Sequence, residues 1–290
     1  MSNISTNVAV TGANGFVGKN VRKFLYKNKV RVLGISRKNF AKYSTEIKAQ
    51  SKNLLEQRLQ KKLKNYDALV HLIGIGVESS GSTFEEINVN LTKNTIKLCK
   101  KSGIKKIIYI SGLGVSKNNQ SDYFISKYSA EREIINSGLD YTIFRASYIM
   151  GKTDYLTKAL SMQMKKGTIS IPGSGKYRLQ PIFVLDVAKI ILEAVLEKKF
   201  SKKIIDLVGP QKISFEDFVK LFAKNTGVKI KKINLEDVYD EAKHNAKAVY
   251  GLESLNILVG DYTSEGKQLK KLSSVKLTSV AEFLQSSRLS

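Results

Sequence analysis

The sequence predicts an α/β fold: a doubly wound parallel sheet with a small interleaved C-terminal α/β subdomain. Three observations carry that expectation. Apolar runs alternate with amphipathic stretches between residues 7 and 149, a pattern of parallel strands joined by crossover helices. A glycine-rich turn, Gly12 to Gly18, leads the first apolar run straight into the first amphipathic one. The 290 residues, 42% of them hydrophobic, suffice for one large core, which excludes disordered and fibrous classes.

Strands are expected at 7–11, 30–36, 68–75, 106–111 and 141–149, and helices at 16–28, 54–63, 84–101 and 123–136. Gly103 and Gly138 stop the third and fourth helices, because glycine enters the left-handed conformation that ends a helix. After Gly151 the pattern loosens into a helix around 155–166, a Gly/Pro turn at 172–175, a helix at 184–198, a strand at 203–208, and a helix from Phe215 capped by Ser214. The division expected is a core at 1–150 and a smaller substrate or interaction subdomain at 151–290, partly interleaved with it. The sequence has no internal repeat and no low-complexity tract.

Composition narrows the function. The longest apolar stretches, such as 68–77, stop near ten residues, short of the roughly 20 a membrane helix needs. The first seven residues are mostly polar and lack the basic flank of a signal peptide, so a cytoplasmic location is expected. With Cys99 as the single cysteine and two histidines, neither a disulfide nor a Cys/His zinc cluster is expected, and no metal. Lysine and arginine number 49 against 25 acidic residues, a net charge of +24. Only eight are arginine and the lysines are spread over every expected helix, so the charge reads as a composition-wide bias and no specific nucleic acid binding is expected. It is uneven, however: residues 1–70 hold 15 basic and 3 acidic residues, half of the total excess.

The glycine turn reads Thr11-Gly-Ala-Asn-Gly-Phe-Val-Gly18. Gly12 and Gly15 let the backbone turn tightly around a pyrophosphate, with Asn14 between them. The helix start at Phe16 and Val17 offers free N–H groups and a positive dipole end, and Gly18 lets helix and strand approach. Between a strand and a helix, this is a Rossmann-type dinucleotide loop. An acidic residue closing the second strand would hold the ribose 2′-hydroxyl of NAD; here the strand runs into Ser36-Arg37-Lys38, a hydroxyl and two cations suited to a 2′-phosphate. NADP(H) is therefore favoured over NAD(H), with Arg37 and Lys38 as its contacts.

With Gly12-x-x-Gly15-x-x-Gly18 and the following Tyr123-x-x-x-Lys127, the chain resembles extended and atypical short-chain dehydrogenase/reductases of the NAD-dependent epimerase/dehydratase kind. Asp67-Ala-Leu-Val-His-Leu-Ile-Gly74, Asn88-Val-Asn-Leu-Thr92, Tyr109-Ile-Ser-Gly-Leu-Gly114, Leu139-Asp-Tyr-Thr-Ile-Phe-Arg145 and Gln180-Pro-Ile-Phe-Val-Leu-Asp186 follow in order and make it look most like the NADPH-binding accessory subunit of respiratory complex I and its prokaryotic relatives. The resemblance implies that Gly74 and Ser111 border the cofactor, and that Ser111, Tyr123 and Lys127 form the catalytic set: a hydroxyl on the substrate carbonyl, a phenol passing a proton, and an ammonium holding the nicotinamide ribose. It also implies a membrane-associated complex as partner and a peripheral place at the inner face of the membrane.

The Tyr-x-x-x-Lys spacing itself is weak evidence, since it recurs at Tyr148/Lys152 and Tyr239/Lys243; position after the strand ending at Ser111 selects Tyr123. The strand end Ser111-Gly112 departs from the family pattern. Depending on register, the catalytic hydroxyl falls on Ser111 or its place is taken by Gly112, leaving a binder that does not turn over. Ser51-Lys52-Asn53 lacks the Asp that relatives set against adenine, and Ala146 replaces a proline. Asn88 either caps its helix or shapes the active-site helix. His71 reads as a core histidine, Cys99 as core packing, Arg145 as a structural ion pair, and Asp186 as a local cap or pair at a helix start. The leading reading is an NADP(H)-binding oxidoreductase or epimerase acting at a carbonyl or hydroxyl carbon of an unidentified small molecule; the alternative is a catalytically silent NADPH-binding structural or regulatory subunit of a membrane-associated respiratory complex. A redox-sensing transcriptional regulator is the weakest alternative, because no helix-turn-helix signature is present.

Overall fold

A computed structural model describes residues 6–245 and 248–288. In chain order its elements are β1 Asn7–Thr11, α1 Phe16–Lys27, β2 Arg31–Ser36, β3 Ile47–Gln50, α2 Gln57–Lys62, β4 Ala68–His71, a π-helical turn Glu85–Asn90, α3 Leu91–Ser102, β5 Lys106–Gly112, α4 Asp122–Ile135 and β6 Asp140–Ala146. There follow β7 Ile149–Met150, α5 Tyr155–Lys165, β8 Thr168–Pro172, β9 Arg178–Leu179, β10 Ile182–Phe183, α6 Val184–Leu196, β11 Lys203–Leu207, β12 Ile213–Ser214, α7 Phe215–Phe222, β13 Lys229–Ile233, α8 Leu235–His244, α9 Leu252–Leu258, α10 Lys267–Leu272 and α11 Val280–Arg288.

Two compact units emerge. The first comprises Met1–Ala146, Val184–Asp206 and Gly266–Val275. Its seven-stranded sheet has the order β11-β6-β5-β4-β1-β2-β3, with neighbours from β6 to β3 parallel. Strand order reverses between β1 and β4, so the helices cover both faces and the carboxyl ends of these two strands flank the crevice where open α/β sheets take their ligands. One side of the sheet is sealed by an apolar cluster that includes Leu33, Ile35, Leu69, Ile107, Tyr109 and Cys99. Cys99 is fully buried there, and burial pushes its thiol up to about 12, which fits packing and not nucleophilic work.

The second unit comprises Ser147–Phe183, Leu207–Glu265 and Lys276–Ser290. Two-stranded pairs β8/β13, β9/β12 and β7/β10 pack with α5, α7 and α11 around Phe215, Phe218, Phe283 and Leu160. Ser214 caps α7 by accepting from the Asp217 amide at 3.0 Å, and Asp154 caps α5 from Thr157 at 2.9 Å. Among the described residues, no helix is long and apolar enough to cross a membrane.

Several boundaries move from expectation for local reasons. The expected helix at 54–63 shortens to α2, because Leu54 sits at φ 67° and the side chains of Ser51 and Asn53 accept from the Leu54 and Leu55 amides, holding a turn ahead of Glu56. The expected strand at 68–75 ends at His71, after which the Leu72 amide turns to Thr11 Oγ1. The expected helix at 84–101 is two elements, the π turn and α3. The four-residue β3 and the exposed β13, with its run Lys-Ile-Lys-Lys-Ile, lack an apolar run long enough to announce a strand.

Candidate functional site

The loop after β1 is built by close backbone approach. Gly12 lies at φ 66°, and a β-carbon on it would stand 2.7 Å from the Leu72 carbonyl oxygen. At Gly18 a β-carbon would fall 2.2 Å from the Gly12 carbonyl oxygen, so α1 rests on the loop only with glycine there. Gly15 donates its amide to the Gly12 carbonyl at 2.9 Å and opens α1 with no side-chain cap and no acidic residue in the first turn. Partly exposed Asn14, Phe16 and Val17 surround that helix start. A cradle of bare backbone, at a helix end whose amides face outward, fits the pyrophosphate of a dinucleotide.

The loop has a buried buttress that sequence reasoning missed. Arg22, one turn past Gly18, is 2% exposed; its Nη1 donates to the Ala13 carbonyl at 2.8 Å and its Nη2 to Glu46 Oε2 at 2.6 Å, while Nε also donates to Glu46. The guanidinium lies 4.3 Å above the Phe40 ring. Room for this pair exists because β2 carries Gly34, where a β-carbon would meet Glu46 Oε1 at 2.8 Å and Phe40 at 2.9 Å. The signal available in sequence was Glu46 itself, one of three acidic residues among the first 70. Arg37 and Lys38 stand exposed just beyond β2, on the loop that Arg22 and Glu46 hold in place.

Beyond β4 a second cluster forms. Asn88, fully buried in the π turn, accepts from the Ile75 amide at 2.9 Å and donates to the Ile75 carbonyl at 3.1 Å and to Ser126 Oγ at 2.9 Å. It does not cap a helix; it ties the loop after β4 to α4. A β-carbon on exposed Gly74 would stand 3.3 Å from Asn88 Oδ1 and 3.6 Å from Lys127 Nζ. The Lys127 ammonium donates to the Ile110 carbonyl at 2.8 Å and lies 4.2 Å above the Tyr109 ring. Burial draws its pKa down to about 7, against the attraction of Glu131. Tyr123, one turn earlier on α4, packs edge-on to Phe124, and burial pushes its phenol up to about 12.

A β-carbon on Gly112 would stand 3.4 Å from the Tyr123 hydroxyl and 3.2 Å from Phe124. The strand position whose side chain would reach the phenol is therefore Gly112. Ser111 is 3% exposed, and its Oγ has no hydrogen-bond partner among the described residues.

His71 links the two clusters. Its Nδ1 lies 2.8 Å from Thr11 Oγ1 and 3.2 Å from Thr95 Oγ1, and its Nε2 lies 3.0 Å from Thr92 Oγ1, while Thr92 and Thr95 donate to the Asn88 and Leu91 carbonyls, each at 2.7 Å. Burial holds the imidazole neutral, with its pKa drawn down to about 3. Arg145 forms a two-pronged pair with buried Glu131 at 2.7 and 3.1 Å, and Asp186, buried at the start of α6, pairs with Lys189 at 2.8 Å. Ser51 is engaged locally, its Oγ donating to Glu56 Oε2 at 2.6 Å. Among the described residues, no group of His, Cys, Asp and Glu is placed to hold a metal ion.

A parallel sheet with a glycine cradle at its switch point and a Tyr/Lys helix beside it defines a dinucleotide-binding protein of the short-chain dehydrogenase type. Residues 8–207 match the model of the NAD dependent epimerase/dehydratase family, and the chain belongs to that family. It is 27% identical over 169 residues to the mitochondrial NADH dehydrogenase [ubiquinone] 1 alpha subcomplex subunit 9 of Arabidopsis thaliana, a match covering 57% of this chain and 42% of that one. The chain thus spans less than half the length of this relative. In fold it is similar to a nucleoside-diphosphate-sugar epimerase of Staphylococcus aureus (TM-score 0.78, 21% identity, 97% of this chain and 100% of that one). It is also similar to a UDP-glucuronic acid 4-epimerase of Bacillus cereus in complex with UDP-glucuronic acid and NAD (TM-score 0.75, 19% identity, 97% of both chains).

Proposed function

We propose that this protein is an NADP(H)-binding member of its family that holds the dinucleotide without turning over a substrate, as a structural or regulatory subunit of a membrane-associated complex. The observation that carries the reading is Gly112, the position facing the Tyr123 hydroxyl, which has no hydroxyl of its own. In this reading Gly12, Asn14, Gly15, Phe16, Val17 and Gly18 hold the pyrophosphate, Arg37 and Lys38 the 2′-phosphate, and Gly74, Ser111, Tyr123 and Lys127 surround the nicotinamide ribose. The core at 1–150 carries the cofactor and the region 151–290 the substrate or partner surface. A bound nicotinamide supplies or accepts a hydride.

Burial works against proton transfer at Tyr123, holding its phenol up at about 12. An oxyanion donor is worth about 10²–10³ in turnover, so a site without one keeps affinity and loses rate. The complex setting is supported by the plant relative, a subunit of NADH dehydrogenase [ubiquinone], over the part of that relative this chain matches.

The test is calorimetric titration with NADPH and NADH, followed by turnover assays with carbonyl compounds and nucleoside-diphosphate sugars. NADPH binding without turnover is expected, with turnover appearing in Gly112→Ser. Wild-type turnover that Tyr123→Phe abolishes would instead establish the second reading, an oxidoreductase or epimerase, which the one-turn spacing of Tyr123 and Lys127 on α4 favours.

A further inference from the structure

The +24 charge is concentrated at one edge of the first unit, the edge opposite the glycine cradle. Helices α1, α2, α3 and α6 all deliver the chain to the amino ends of the strands that follow them. Segments 27–31, 61–64, 100–106 and 198–203 lie there, and they carry three, three, four and four basic residues with no acidic one. Their adjacency is fixed by hydrogen bonds across the edge: Arg31 N to Thr6 O, Asp67 N to Asn7 O, and Asp140 N to Lys105 O, at 3.0, 3.0 and 2.9 Å. At its far end Thr142 Oγ1 donates to the Phe200 carbonyl at 2.9 Å. Twelve of the fourteen cations are exposed. The acidic groups bordering them are engaged: Asp67 with the Asn7 amide at 2.8 Å, Asp140 with Ser201 at 2.6 Å and Glu197 with Lys199 at 2.6 Å.

Helix dipoles account for part of this, since cations suit helix carboxyl ends. They do not account for Lys29, Arg31, Lys64, Lys105, Lys202 or Lys203, which lie in turns or at strand starts. We propose that this edge docks on an anionic lipid surface. Thirteen of the fourteen cations are lysine, compact charges suited to a smeared anionic layer more than to the bidentate grip on a single phosphate or base that arginine gives. A protein interface needs an apolar centre, and Leu196, 57% exposed at the end of α6, is the large exposed apolar side chain these segments border. Single-stranded nucleic acid needs stacking aromatics, and the one aromatic residue in the four segments, Phe200, is fully buried.

The inference takes its setting from the subunit reading above, and its test separates the two. The full chain is sedimented with phosphatidylcholine vesicles with and without phosphatidylserine, at low and high salt, beside the variant Lys61→Gln/Lys62→Gln/Lys100→Gln/Lys101→Gln. A control of equal charge change, Lys152→Gln/Lys229→Gln/Lys231→Gln/Lys243→Gln, lies in the second unit. Binding only to the anionic vesicles, lost at high salt, weakened by about 100-fold or more in the edge variant and by less than about fivefold in the control, is the expected result. Equal loss in both variants, binding to the neutral vesicles, or no vesicle binding by the wild type would overturn it. So would edge-dependent binding to duplex DNA in place of vesicles. NADPH affinity and melting temperature of the same variants are expected to be unchanged. An edge that binds vesicles in a protein that does not bind NADPH would retire the dinucleotide reading and leave this one standing.

Discussion

The two ends of the central sheet are made differently. At the carboxyl end, the loops 12–15, 37–46, 51–56, 72–84 and 113–121 hold five basic and three acidic residues in 42, and their shape depends on glycines and buried polar groups. At the amino end, fourteen cations crowd 22 residues and twelve of them are exposed. Charge is spread where shape does not matter and is rationed where backbone segments come close to one another. A uniform lysine bias, the reading composition alone suggested, does not separate the two ends in this way.

Substitutions sharpen the contrast. The largest effect is expected at the carboxyl end from Arg22→Met, which strands Glu46 as a buried charge. A loss of about 3–5 kcal/mol, read as a melting-temperature drop of roughly 10 °C together with weakened NADPH binding, should follow. An unchanged melting temperature would show that water reaches the pair. Next comes Arg37→Ala, expected to weaken NADPH binding by about 10- to 100-fold while leaving NADH binding within a factor of two or so; equal effects on both nucleotides would remove the 2′-phosphate assignment.

A smaller effect concerns pH. Lys127 holds about 7 in the fold, below its ordinary value, so between that value and its unfolded pKa the unfolded chain binds more protons and stability rises with pH. Its contribution is greatest above the unfolded pKa and is lost as pH falls toward about 7. Melting temperature followed from pH 7 to 9 should therefore rise in the wild type more steeply than in Lys127→Met. Least of all, the Lys61→Gln/Lys62→Gln pair at the amino end should move stability by less than about 0.5 kcal/mol per site. A larger loss there would make those lysines structural and break the contrast.

What was legible in the sequence follows the same division. The β1 turn α1 unit could be read because its glycines answer to backbone geometry alone, and the parallel sheet because buried strands repeat. The register at Gly112 could only be posed as a question; the nearness of that position to the Tyr123 hydroxyl shows only with α4 laid across the strand end. Arg22 and Glu46, 24 positions apart, leave no local trace of pairing. Asn88 was legible as a residue that either caps its helix or shapes the active-site helix; its tie to Ile75 needed the π turn that aims it there.

The Arg22–Glu46 pair and the missing side chain of Gly34 also constrain how this chain can change. Losing either charged partner leaves the other isolated in the interior, and enlarging Gly34 drives both out of place. An apolar replacement for the buttress is reachable only by altering two or three positions together, because each intermediate is less stable than either end point. Descendants of this sequence that drift freely at their exposed lysines should therefore keep these three residues as a block or exchange them as one.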